Sequence, residues 1–354
     1  MKKHLATEIF TKSNQNKRRK LIQENPELIL KFAQEKLIKE NLDRIKDKLS
    51  DSKINQCLDL SNCKISHEIL KEILTHLSEY NIKELNLNNA EIGSNEIQAL
   101  AEALKNTSLT HLDLSWNAIE NIGTTAIAKA LKETTSLTSL VLAGNNLGPA
   151  GATAIAKALE ENKSLTTLNL NHNEIGPTGA IQLAEALTKN ISLKNLSLDT
   201  NHIGPEGARS IADALKTNST LTELDLADNK IKNEGASALA IMLESNKTLK
   251  VLSIGANEID DKGATELAKA LKENTSLTNL FVPYNDINPT GASEFEKALQ
   301  TNTTLIEIDF EDCPIGDEET GEIGWVENII YAHISKNRGL AKAAGKHPII
   351  FKYH

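Results

Sequence analysis

Aromatic rings are scarce in this sequence: Trp, Tyr and Phe together make up 3% of 354 residues, so any large core has to be aliphatic. The three cysteines, Cys57, Cys63 and Cys313, form no CxxC pair and have no clustered histidines, which leaves no readable disulfide framework or zinc site. No run of about 18 apolar residues occurs, so no membrane-spanning helix is expected. The opening MKKHLATEIFTKSN lacks the continuous apolar stretch of a secretory signal, and a reducing cytosol is the expected location. A positive surplus is missing too: the net charge of −9 argues against generic binding to nucleic acid or anionic membrane. P-loop, GxSxG, HExxH and nucleotide-type GxGxxG signatures are all absent. No enzyme activity and no cofactor or metal are expected.

What the sequence has in abundance is repetition. LTHLDLSWNAI begins at Leu109, and counterparts begin at Leu137, Leu165, Leu193, Leu221, Leu249, Leu277 and Leu305, each 28 residues after the last. Two degenerate copies precede them, from Asn55 and Ile82, giving ten units over residues 55–316. The first half of each unit alternates with period two. Leu168 and Leu170 point inward while Thr167, Asn169 and Asn171 point out, as in a short strand. The second half carries a helical stripe: Ala180, Leu183, Ala184 and Leu187 fall at i, i+3, i+4 and i+7. Strands in a parallel sheet sit about 4.8 Å apart while helices need roughly 8–10 Å, so stacking such units predicts curvature with the strands inside. The expected fold class is α/β: a solenoid, or horseshoe, with parallel strands on a concave face, helices on the convex face and helical caps at both ends. Residues 1–54 are read as a basic tail and a helical cap that starts near Pro26, and 317–354 as a C-terminal helical cap and tail.

One column of the repeat is asparagine: Asn117, Asn145, Asn173, Asn201, Asn229, Asn257 and Asn285. An inward amide both donates and accepts, so it can satisfy the backbone where each strand turns away, and the column is read as structural. Cys63, Ala90 and Cys313 hold the same place in the terminal units, and Cys57 faces outward on the first strand. Seven Asn-x-Ser/Thr sequons, at Asn106, Asn162, Asn190, Asn218, Asn246, Asn274 and Asn302, read as punctuation at helix ends. The Lys17–Lys20 run reads as a solvated basic tail.

The pattern LxxLxLxxNxIG followed by xxGAxxIAxAL resembles the ribonuclease-inhibitor class of leucine-rich repeats, over about three quarters of the chain. That resemblance implies a scaffold that mainly binds proteins. The uniform units and Lys/Asn/Ile-rich composition are similar to leucine-rich-repeat effectors that intracellular bacterial pathogens inject into host cells. The implied role is then an effector in the host cytosol that modulates or inhibits its target. An alternative within the same class is a Ran-GAP-like activator of a small GTPase, although the inner positions offer no arginine.

Counting the first Leu as position 1, positions 3, 5, 7 and 8 face the inner surface or its rim. Over ten units eleven of these residues are acidic and none is Lys or Arg: Asp59, Glu84, Asp113, Asp199, Glu223, Asp225, Asp228, Glu307, Asp309, Glu311 and Asp312. Trp116, His172, Phe281 and Tyr284 add rings at the same positions, and rings flanked by charge suit a protein interface. The partner-binding set expected from sequence is therefore Trp116, His172, Asp199, Glu223, Asp225, Asp228, Phe281, Tyr284, Glu307, Asp309, Glu311 and Asp312. The expected partner is a protein with a basic surface, and the chain alone is expected to be a monomer.

Overall fold

The computed structural model describes residues 29–31, 36–37, 57–77, 79–315 and 325–343; side chains are described from 57 onward and, in the last helix, from 330. These residues form two compact units, one ending at Ile175 and one beginning at Gly176.

In the first unit, β1 (Ile29–Lys31) and β2 (Lys36–Leu37) precede β3 (Cys57–Asp59), β4 (Lys64–Ile65) and helix α1 (His67–His76). Then β5 (Glu84–Asn86), α2 (Ser94–Leu104), β6 (His111–Asp113), α3 (Glu120–Glu133), β7 (Ser139–Val141), α4 (Gly148–Leu159) and β8 (Thr167–Asn169) alternate. β1, β3, β5, β6, β7 and β8 pair in parallel in that order, and β2 pairs with β4. The middle leucines Leu58, Leu85, Leu112, Leu140 and Leu168 stand side by side and are fully buried.

The helix expected to start near Pro26 is corrected by this arrangement, because Ile29–Lys31 and Lys36–Leu37 are strands. The register explains it. Ile29 lies opposite Cys57 and Lys36 opposite Lys64, a spacing of one repeat, so the segment keeps the phase of the units that follow it. A stripe that also fits helical spacing is overridden by pairing with a neighbour already in strand form.

The second unit runs α5 (Gly176–Leu187), β9 (Asn195–Ser197), α6 (Gly204–Leu215), β10 (Glu223–Asp225), α7 (Lys232–Ser245) and β11 (Val251–Ser253). It continues through α8 (Asp261–Glu273), β12 (Asn279–Phe281), α9 (Pro289–Leu299), β13 (Glu307–Asp309) and α10 (Trp325–Ala343). β9 to β13 pair in parallel in sequence order. Its helices bury the striped faces read from sequence, such as Ala208, Ile211, Ala212 and Leu215. Each fully buried Leu or Ile adds roughly 1.5–3 kcal/mol of hydrophobic stabilisation. Helix stacking is close enough to require a glycine: a Cβ on Gly207 would lie 2.8 Å from the Ala180 Cβ.

Polar cores run beside the leucines. Asn257 Nδ2 donates to Leu226 O and Gly255 O, each at 2.9 Å, while its Oδ1 accepts from Asn229 N at 3.0 Å and Ile231 N at 3.2 Å. In the first unit Asn145 Nδ2 donates to Leu114 O, Leu142 O and Ala143 O while its Oδ1 accepts from Asn117 N, and Cys313 Sγ donates to Val282 O at 3.2 Å where the column ends. The sequon asparagines build a second ladder. Asn218 Nδ2 donates to Leu187 O at 2.8 Å, and its Oδ1 accepts from Thr220 N and Leu221 N at 3.0 and 2.8 Å. At the end of the second unit α10 packs on α9 with Ile330 and Ile334 buried. Asn337 donates to Asn302 O and Leu305 O at 3.0 and 2.8 Å, as the next ladder asparagine would. Arg338 Nε donates to Ile306 O at 2.7 Å and so takes the place of a further strand.

Candidate functional site

Strand-side side chains fall into one set per unit. In the first unit Trp116 is the dominant feature, with 52% of its surface exposed. Its ring rests on Gly144, where a Cβ would come within 2.5 Å of the indole, and lies 5.4 Å centroid to centroid from His172, tilted by 39°. Gly144 occupies position 8 of the next repeat, and its missing side chain leaves room for the indole. Sequence reading passed over it, although it is the only glycine at position 8. His111 sits 3.9 Å from Glu84 nearby.

Position 8 is conformationally special throughout. Trp116, His172, Thr200, Asp228, Ala256, Tyr284 and Asp312 all have φ between 48° and 57°. This is the left-handed region, which costs a non-glycine residue about 1–2 kcal/mol. The turn after each strand imposes that cost, and it sets Trp116, His172, Asp228, Tyr284 and Asp312 in one repeated location.

In the second unit the expected acidic set divides. Glu311 and Asp312 are exposed, and Glu223, Asp228 and Tyr284 are half-buried. Asp199, Asp225, Phe281, Glu307 and Asp309 are buried, which corrects the expectation that all of them stand open to a visitor. Glu307 is engaged from the C-terminal helix: Arg338 Nη2 lies 4.0 Å away, and Asn279 Nδ2 donates to its other oxygen.

Position 5 has a local role that the sequence did not reveal. Asp225 Oδ1 accepts from Ala227 N at 3.1 Å, Asp113 Oδ1 from Ser115 N at 3.0 Å, and Asp309 Oδ1 from Glu311 N at 2.9 Å. Asn86 and Asn169 do the same for Asn88 N and Asn171 N without a charge. The acids at position 5 are therefore turn-closing groups first.

Burial has consequences for charge. Burial first, and the Asp199 charge second, push the Asp225 carboxyl up to about 8, which favours its protonated form. Fewer negative charges face the solvent than the sequence count implies. The Tyr284 phenol is raised by burial, then by Glu311 and Asp312. The Cys313 thiol is pushed up to about 12, chiefly by burial, which leaves it unreactive at neutral pH. Cys57, expected to face outward, is buried. Among the described residues no group of three or more His, Cys, Asp or Glu could hold a metal, and no helix is long and apolar enough to cross a membrane.

Family comparison matches the pattern described as Leucine Rich repeat at residues 105–128, 134–156, 161–184, 189–212, 217–240, 245–268 and 301–318. A second pattern of the same description matches residues 56–76. A search of curated proteins finds no match. Among solved structures, "Leiomodin-1 Actin-Binding Site 2 (ABS2)" is 21% identical with a TM-score of 0.41, covering 48% of this chain and 92% of that one. The tropomodulin C-terminal domain of Caenorhabditis elegans is 16% identical with a TM-score of 0.38, covering 46% and 99%. The matched repeats coincide with the strand–helix units, whose alternation is that of a leucine-rich-repeat solenoid, a family of protein-interaction modules: the chain is a leucine-rich-repeat protein.

Proposed function

We propose that this protein acts without catalysis, by holding a partner protein on the strand side of its repeats. The carrying observation is the exposed indole of Trp116, stacked between Gly144 and His172 at the turn position that recurs as Asp228, Tyr284 and Asp312. A large exposed ring held rigidly by its own neighbours is the usual anchor of a protein interface. Around Tyr284 the open acids Glu311 and Asp312 and the half-open Asp228 favour a partner segment rich in Lys or Arg. We read Asp225, Asp309 and Glu307 as supports of that surface and assign direct contact to Trp116, His172, Glu223, Asp228, Tyr284, Glu311 and Asp312. The uniform repeats and the Lys/Asn/Ile-rich composition support placing the protein among injected bacterial effectors with ribonuclease-inhibitor-type repeats, acting as a monomer in a host cytosol.

The test is capture of partners by the wild type, by Trp116→Ala, and by Asp228→Lys/Glu311→Lys/Asp312→Lys, with circular dichroism confirming the fold. Each variant should lose at least one partner species that the wild type enriches. Capture unchanged in both variants overturns the assignment.

A further inference from the structure

The first unit holds one open ring in acidic surroundings. Gly144 backs one face of the Trp116 indole: a Cβ there would meet Cε3, Cδ2 and Cζ3 at 2.5, 2.8 and 2.9 Å. His172 flanks the ring at 5.4 Å between centroids. The 52% of the residue left exposed therefore belongs to the opposite face and the outer edge. Its companions in the position-8 row are Asn89, Gly144 and His172, so no apolar strip continues along that row. A hydrophobic pocket on a partner would meet a single ring rather than a patch. Charge around the ring is lopsided. Positions 3–14 of these repeats, residues 57–68, 84–95, 111–122, 139–150 and 167–175, hold seven Asp or Glu and no Arg, and their one Lys is Lys64. Lys64 is already paired with Glu91. Asp113, three residues before Trp116, is half-buried; Glu120, four after it, and Glu174, two after His172, are exposed. Glu120 and Glu174 share the left-handed backbone of Trp116, with φ 53° and 54°, so the turn fixes where each carboxylate starts.

We propose that the Trp116 indole is a stacking platform for the guanidinium of an arginine presented by the partner protein, with Gly144 and His172 as positioning residues. The inference rests on the proposed strand-side binding and names the side chain that the first unit takes. An indole face carries the negative lobe of the ring quadrupole and draws a cation onto it. Arginine suits this place better than lysine. Its planar head lies flat on a ring while the N–H groups at its rim stay free to meet carboxylates, whereas an ammonium is a compact, strongly hydrated point charge. Asp113, Glu120 and Glu174, close to Trp116 and His172 along the chain, supply those carboxylates. The absence of Arg, and of any Lys but the paired Lys64, leaves the surface without a cation of its own to cover the ring. The seat matters because a ring held in place before the partner arrives gives up little rotamer freedom on binding. Gly144 makes the seat possible, since any side chain at that position pushes the indole away.

Two synthetic peptides decide it, Gly-Arg-Gly-Arg-Gly and Gly-Lys-Gly-Lys-Gly, each dye-labelled and titrated with the full chain at low salt while anisotropy is read. The wild type should bind the arginine peptide about threefold or more tightly than the lysine peptide. Trp116→Phe should keep that preference in weaker form, and Trp116→Leu, apolar but without a ring, should bring the two peptides level. Gly144→Ala keeps the indole but unseats it, and should weaken arginine-peptide binding about threefold, with circular dichroism confirming the fold. In Trp325→Phe the only tryptophan left is Trp116, and its emission should change with the arginine peptide and stay constant with Gly-Glu-Gly-Glu-Gly. Equal binding of the two basic peptides by the wild type, a preference that survives in Trp116→Leu, or an emission indifferent to the arginine peptide overturns the proposal. Should the preference be missing while Trp116→Ala still loses captured partners, the guanidinium is wrong and the strand-side surface stands. Should the preference be present while capture is indifferent to Trp116→Ala, the platform stands and the partner-binding reading fails at the first unit.

Discussion

Replacing Asp225 with Asn should stabilise the protein at neutral pH, an uncommon outcome for a fully buried position. The carboxyl ordinarily titrates at 3.8 and is pushed up to about 8 here, by burial and by Asp199. Folding therefore takes up a proton wherever the pH lies between these values. The stability linked to this group is fully present below about pH 4 and is lost as pH rises toward 8. Four pH units at about 1.4 kcal/mol each set the ceiling at ~6 kcal/mol, and sharing with Asp199 places the gain at pH 8 in the range of roughly 2–6 kcal/mol. The amide keeps the local bond, because Asn86 and Asn169 accept the same N–H at the same position. Urea unfolding of wild type and Asp225→Asn at pH 5 and pH 8, followed by far-ultraviolet circular dichroism, measures it. The variant should be more stable at pH 8, with the gap narrowing toward pH 5. A variant less stable at pH 8, or a gap independent of pH, refutes the reasoning.

Other outcomes follow from the same geometry. Asn257→Ala strands two carbonyls and two N–H groups in a buried ladder, so unfolding should show a loss of roughly 3 kcal/mol or more. Gly207→Ala forces a Cβ to within 2.8 Å of Ala180, and a cost of about 1–3 kcal/mol should appear as a lower thermal midpoint. Trp116→Gly relieves the left-handed backbone at φ 57° while removing the indole. Its stability should therefore stay within about 1 kcal/mol of wild type even as partner capture falls.

The repeat was legible in the sequence because strand and helix periods alternate at a fixed spacing, and side-chain burial follows both. Leu112, Leu140 and Leu168 needed nothing more than their phase to be placed. The column of Asn145 and Asn257 was legible for the same reason. The segment at Ile29 misled because its apolar residues fit a helical stripe as well as a strand, and only pairing with Cys57–Asp59 separates the two. The strand-side residues were legible as a row, but their exposure was not. Periodicity says which face a side chain points to and carries no information on what else covers that face. Asp225 therefore looked like an open charge, whereas it is a buried turn-closing group whose carboxyl is pushed well above the usual carboxylate range. The seat of Trp116 on Gly144 was hidden for a related reason: it joins positions 28 residues apart through a side chain that is missing.

The most direct test of the strand side as the binding surface is a three-way capture experiment. It compares wild type, the strand-side variant Asp228→Lys/Glu311→Lys/Asp312→Lys with Tyr284→Ala, and a helix-side variant with the exposed Glu160 and Glu244 changed to Lys. The account predicts partners lost from the strand-side variant and kept by the helix-side one. Partners kept by the former and lost from the latter contradict it.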